Sequence, residues 1–263
     1  INLYVSYSLG TVSSQSTILN YNSSDPEKNW ILSIGNGVPA IYDLDDDGLD
    51  DIVMRDLFEH RSVKGSTGED IFPITSWAGY HMPTVIENEV GHAPQILWSG
   101  GNYSLVLEQI DGKQQWWKPF MANRSPAGVA DVNGDDKFEV GSYTVGQLYN
   151  WPEFYPVDGP NNEFVCYDLN SGEMLWKHFI GSPISGVITA DIDNDELPEF
   201  IFGTADGRLI ALNGDSDDEK RVAFEKKFPA SLGTPIIVDL DGKGSVQIIV
   251  GCADGNLYSL KPN

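Results

Sequence analysis

The feature that most narrows the fold of this chain is a recurrence. Prolines at Pro39, Pro83, Pro126, Pro183 and Pro235 each open a similar unit, spaced 44, 43, 57 and 52 residues apart. A repeat of about 40–50 residues carrying only strand signals has the period of a propeller blade. In the unit that opens at Pro126, four short runs, AGVADV, FEVGSYT, EFVCYDL and MLWKHFI, follow one another. Gly-containing polar turns such as DLNSGEM, and EQIDGKQ at 108–114, join the third and fourth runs as hairpins. The expected fold is all-β, a β-propeller of four-stranded blades in a single domain spanning 1–263. About six blade units are expected: 1–38 (partial), 39–82, 83–125, 126–182, 183–234 and 235–263 (partial). Residues 2–34 align as second, third and fourth strands, and the last unit supplies its first three. Three strands at each end overfill one blade without completing two, so the chain reads as an arc of a larger propeller. The alternative is a ring with one terminal strand outside it. Trp30, Trp116, Trp117 and Trp176 recur on fourth strands, where a large ring packs between blades.

Between the first two strands of the unit at Pro39 lies PAIYDLDDDGLDDIV, residues 39–53. Asp43, Asp45, Asp47 and Asp51 hold loop positions 1, 3, 5 and 9, and Gly48 holds position 6. Alternate short carboxylates converge on one point and repel by roughly 1–4 kcal/mol per close pair unless a cation joins them. An all-oxygen donor set on a flexible loop suits Ca2+ better than Zn2+ or a redox metal. The EF-hand shares the opening spacing but has a glutamate at position 12 and flanking helices. Position 12 here is Met54, and both flanks read as strands. Related strings recur at 127–144, 187–207 and 235–255, while the unit at 83–102 keeps the strands and lacks the aspartates.

These loops resemble the FG-GAP/VCBS repeats of integrin-α-like calcium-binding propellers. The segments ADGRLIALNGD, ADGNLYSL and DLNSGEMLWKH look like quinoprotein-like (PQQ-like) blades. Carried over by position, the resemblance implies ligand sets of Asp131, Asn133, Asp135 and Glu139, and of Asp191, Asp193, Asp195 and Glu199. Asp136 and Glu196 stand at the glycine position of these two loops. The fourth loop has Asp239 and Asp241 but Lys243 at position 5 and Gln247 at position 9, so an ammonium is expected to replace its metal. About three Ca2+ ions are therefore expected. The resemblance places these loops on the lower face as braces. The ligand surface would be the upper face, built from loops after strands two and four.

The longest interval contains an insertion, VGQLYNWPEFYPVDGPNNE, with Tyr149, Trp151, Phe154 and Tyr155 close together. Loops this long are functional or disordered, and the aromatics argue against disorder. They would stack on a sugar ring or meet a protein ligand; alternatively they pack beneath the loop or against a neighbouring domain or subunit. A second surface candidate comprises Tyr80 and His81 with His60, near Arg55 and Arg61. A His/Tyr pair with an arginine is the equipment for β-elimination of a uronate, as in polysaccharide lyases. A third reading is a structural or assembly subunit.

Net charge is −23, with 39 acidic against 16 basic residues, which opposes nucleic acid and anionic membranes. No apolar run reaches 18 residues, so no membrane span is expected. Cys166 and Cys252 fall in apolar strands as buried thiols rather than a disulfide framework. No nucleophile elbow, Walker loop, zincin string or dinucleotide fingerprint is present. The chain opens at Ile1 without a start methionine, which reads as a processed form or a fragment. The expected role is an extracellular or cell-surface binding or adhesion module, braced by calcium, for a carbohydrate or protein ligand.

Overall fold

Each repeat unit folds as an antiparallel meander. The computed structural model describes residues 2–8, 16–22, 30–34, 39–55, 59–72, 75–76, 81–87, 93–100, 104–119, 126–144, 162–215, 219–240, 242 and 246–261. Two compact units divide the chain, Ile1–Pro119 and Phe120–Asn263.

The first unit holds three sheets in chain order. β1 (Asn2–Ser8), β2 (Ser16–Asn22) and β3 (Trp30–Ile34) form the first. β4 (Ala40–Tyr42), β5 (Asp51–Arg55), β6 (Glu59–Val63) and β7 (Thr75–Ser76) form the second, and β8 (His81–Ile86), β9 (Gln95–Gly100), β10 (Ser104–Gln109) and β11 (Gln114–Pro119) the third. The second unit repeats the scheme. Its sheets are β12 (Gly128–Ala130), β13 (Glu139–Thr144), β14 (Glu163–Asp168) and β15 (Met174–Phe179), then β16 (Ile188–Ala190), β17 (Glu199–Gly203), β18 (Arg208–Leu212) and β19 (Val222–Lys227). β20 (Ile236–Val238), β21 (Gln247–Gly251) and β22 (Leu257–Leu260) end it with three strands. Every neighbouring pair is antiparallel and sequential, so hairpin turns connect them and no crossover is required. The architecture is all-β, with three-stranded sheets at both ends, as the repeat demands.

The second strands β5 and β17 are buried on both faces, because one face meets the preceding sheet and the other the following one. Ile52 and Met54 pack with Val63 and Trp30, whereas Val53 between them packs with Leu44, Ile96, Trp98 and Val106. Likewise Phe200 and Phe202 join Phe164 and Ile184 on one side, while Ile201 joins Leu209, Ile248 and Val250 on the other. This explains continuous apolar runs where half-buried strands would alternate. The Phe164 ring lies 5.2 Å from both Phe200 and Phe202, centroid to centroid. Gly141 makes this approach possible, since a Cβ there would meet Phe164 at 2.5 Å and Phe200 at 2.6 Å.

Tryptophans on the outer strands tie successive sheets. Trp30 Nε1 donates to the Gly65 carbonyl at 3.0 Å, and Trp176 Nε1 donates to the Gly214 carbonyl at 3.1 Å. In each case an indole from one blade caps the second residue past the third strand of the next. Cys166 and Cys252 are free and buried. Among the described residues no helix is long and apolar enough to cross a membrane.

Candidate cation loops

The loop joining first to second strand has one geometry in three blades. At position 9 stands the first residue of the second strand, Asp51, Glu139 or Glu199, each about 1% exposed. These carboxylates accept the backbone N–H of loop position 2, from Leu44 at 3.0 Å, Val132 at 3.0 Å and Ile192 at 2.9 Å. The opening aspartates Asp43, Asp131 and Asp191 accept the N–H of position 6 at 2.8, 2.9 and 3.1 Å. At position 5, Asp47, Asp135 and Asp195 accept the N–H of position 7 at 2.9, 3.0 and 2.9 Å. The backbone thus bends the loop around its own carboxylates.

Two residues per loop take left-handed φ. They are Asp46 and Gly48 (62° and 82°), Gly134 and Asp136 (76° and 63°), and Asn194 and Glu196 (65° and 75°). Glycine at position 6 is therefore one solution among several. Asp and Asn enter this region with local hydrogen bonds, whereas Glu196 does so against a cost of about 1–2 kcal/mol. The Asp191 carboxylate accepting its N–H holds it there.

Convergence brings repulsion. Oxygens of Asp43, Asp45 and Asp51 lie within 4.8 Å of one another, as do those of Asp191, Asp193 and Glu199. Burial, with Asp135, Asp131 and Asp168 around it, pushes Glu139 up to about 7, although the Val132 N–H works the other way. Burial and the three aspartates of its loop likewise push Glu199 up to about 7, again against a backbone N–H. Asp51 and Asp193 are raised too, burial being the leading cause in both. Hard, anionic oxygens held this way suit a calcium-sized cation and no soft metal. Asn133 contributes an amide that donates to Glu139 Oε1 at 3.1 Å.

One participant was invisible in the loop motif. Lys64, just past β6, brings its Nζ to 2.5 Å from Asp45 Oδ2 and 3.5 Å from Asp47 Oδ2. The hydrogen bond to Asp45 holds its ammonium above the usual lysine range. In the fourth loop Asp239 accepts the Gly242 N–H at 2.8 Å, while Asp241 and Lys243 lie outside the described residues. Gln247 at position 9 is buried and accepts the Ser259 hydroxyl at 3.2 Å.

His60 stands in a strand and not in an exposed loop, which corrects the surface expectation for it. The string RDLFEHRSVKG looks solvated, but Arg55 and His60 face each other across β5 and β6. His60 is 3% exposed, stacks on Trp98 at 3.6 Å and 10°, and places Nδ1 3.1 Å from Glu108 Oε2. Burial holds its imidazole below the usual range, outweighing Glu108. Arg61 points the other way, to Asp70, at 2.5 and 3.0 Å. A cavity of about 20 Å3 lies beside His60 and Trp98, room for one water and far below a ligand pocket. Glu108, an acid within the apolar run SLVLEQ, was the sequence signal for this buried pair. His81 opens β8 opposite Gly100, and its side chain, like Tyr80, is outside the described residues. Tyr149, Trp151, Phe154 and Tyr155 also lie outside them.

No family model and no curated protein matches this sequence. Solved structures do. The chain is similar to BBS1N, solved in complex with ARL6DN, at a TM-score of 0.66 and 12% identity, over 100% of this chain and 75% of that one. It is similar to Saccharomyces cerevisiae Sqt1 at 0.66 and 11%, over 95% and 67% of the two chains. It is also similar to BamB from Moraxella catarrhalis at 0.59 and 11%, with the same coverage. At these identities the likeness establishes the fold, a β-propeller.

Proposed function

We propose that this chain is a calcium-braced binding module of the FG-GAP/VCBS kind, extracellular or cell-surface, that engages a protein partner without chemistry of its own. The observation that carries the reading is the acidic loop repeated with one hydrogen-bond pattern in three blades. The candidate ligand sets are Asp43, Asp45, Asp47 and Asp51, then Asp131, Asn133, Asp135 and Glu139, then Asp191, Asp193, Asp195 and Glu199. A cation there ties the first strand of a blade to its second and relieves the carboxylate repulsion. It acts on the scaffold, leaving recognition to other loops. BBS1N was solved with a protein bound, which supports a protein as the class of ligand for a propeller of this fold. The net charge of −23 favours partners with a basic surface.

The aromatic insertion with Tyr149, Trp151, Phe154 and Tyr155 is the proposed contact surface, since large amphipathic rings anchor interfaces. The test is a binding screen of the intact chain against secreted proteins and neutral glycans, in calcium and in chelator. The expected result is a protein ligand whose affinity Trp151→Ala abolishes while the melting temperature stays unchanged. A response to glycans alone, or an unsaturated uronate product absorbing in the ultraviolet, would overturn the reading.

A further inference from the structure

We infer that Lys64 is the resident cation of the first acidic loop, so that only the loops at 131 and 191 call for a tightly held external ion. The inference rests on the cation reading of those two loops. It sets which of the three acidic loops depends on the solvent for its positive charge.

The determinant is one position in the blade, the residue that faces loop position 9 from the third strand. In the first loop Ile52 pairs with Val63, so the next residue, Lys64, lies opposite Asp51. Its ammonium meets Asp45 at 2.5 Å and Asp47 at 3.5 Å, and the following residue, Gly65, donates its N–H to Asp51 Oδ1 at 3.3 Å. Positive charge and an amide donor thus enter the loop together from the neighbouring turn. Lys64 is 33% exposed and Asp45 21%, so the pair is partly shielded from water.

The equivalent residues elsewhere do the opposite. Glu139 pairs with Asp168, a further carboxylate, which turns back to take the Ser171 N–H at 2.6 Å and hydroxyl at 2.7 Å. Beyond the Phe200–Leu212 pair comes Asn213, whose amide donates to the Lys220 carbonyl at 3.1 Å. Neither carries positive charge into its loop. Lys137 reaches Asp135 at 3.4 Å, but it is 57% exposed on the rim of the second loop, where an ion pair contributes little. In the last blade Lys261 follows the Ile248–Leu260 pair, in the register of Lys64. The blade end with the weakest acidic loop therefore also has a lysine at this position.

An ammonium and a calcium ion cannot share Asp45 and Asp47. Lysine offers three hydrogens to acceptors, whereas calcium needs six to eight oxygens close around it. Calcium enters the first loop only after Lys64 has left it.

The test is calcium stoichiometry by native mass spectrometry, with melting temperatures in chelator and in calcium, for the intact chain and for Lys64→Met and Lys64→Arg. The chain is expected to hold two ions tightly, Lys64→Met three, and Lys64→Arg two. Lys64→Met should melt lower in chelator and gain more from calcium. Three equally held ions in the unsubstituted chain, or no third ion in Lys64→Met, would overturn the inference. If no form binds calcium, the cation reading itself fails, and melting in chelator then decides on Lys64. A loss in Lys64→Met that disappears when Asp45→Asn and Asp47→Asn are present sustains the internal ion pair; no loss overturns it.

Discussion

Glu199 holds two places, as position 9 of its acidic loop, where it is a proposed ligand, and as the first residue of a fully buried strand. Without a cation its carboxylate is a liability, raised to about 7 by burial and by Asp193, Asp195 and Asp191. The substitution Glu199→Gln should therefore raise the melting temperature in chelator. The same change should shrink the gain that calcium confers, because one anionic oxygen pair is lost. Scanning calorimetry in both conditions reads the two opposite signs. His60 supplies a pH-dependent counterpart. Its imidazole is held below its usual range by burial, with Arg55 acting in the same direction and Glu108 against it. The folded state keeps it neutral while the unfolded chain protonates it near pH 6.5. Its contribution to stability is thus present above about pH 6.5 and lost as pH falls below. Denaturant unfolding at pH 7.5 and 5.5 should show a smaller difference in His60→Gln than in the parent chain.

At the scale of strands and sheets, stability comes from side chains gripped between neighbouring blades. Phe200 is fully buried against Phe164 and Trp176. Phe200→Ala should cost about 3–5 kcal/mol in equilibrium unfolding, since the aromatic wall around the gap is too rigid to collapse. Most of this layer was legible in the sequence. The apolar runs and the polar turns mark strands that the sheets take up in chain order, and Trp30 and Trp176 bridge successive sheets as their position suggested. Loop positions 1, 5 and 9 were legible too, because local spacing dictates them. What escaped depends on residues brought together from different strands. Lys64 reaches Asp45 across 19 residues, and its place opposite Asp51 follows from register. His60 was misjudged because its cover, Trp98, belongs to the next sheet. A polar string such as FEHRS reads as solvated until the neighbour that buries it is known.

For the whole molecule, 39 acidic against 16 basic residues make self-repulsion a standing cost. The acidic loops concentrate that cost at repeated points, so divalent ions would relieve it where it is greatest. The propeller fold supplies the repeated scaffold but names no ligand, and the same architecture serves many roles. An ion bound only by the folded chain adds about 2.7 kcal/mol per site at a hundredfold excess over its dissociation constant. The central claim, that calcium braces the blades, is therefore tested most directly by thermal unfolding in millimolar calcium and in chelator at pH 7.5. The account predicts a large upward shift of the melting temperature with calcium. Identical melting in the two conditions would contradict it for all the loops at once.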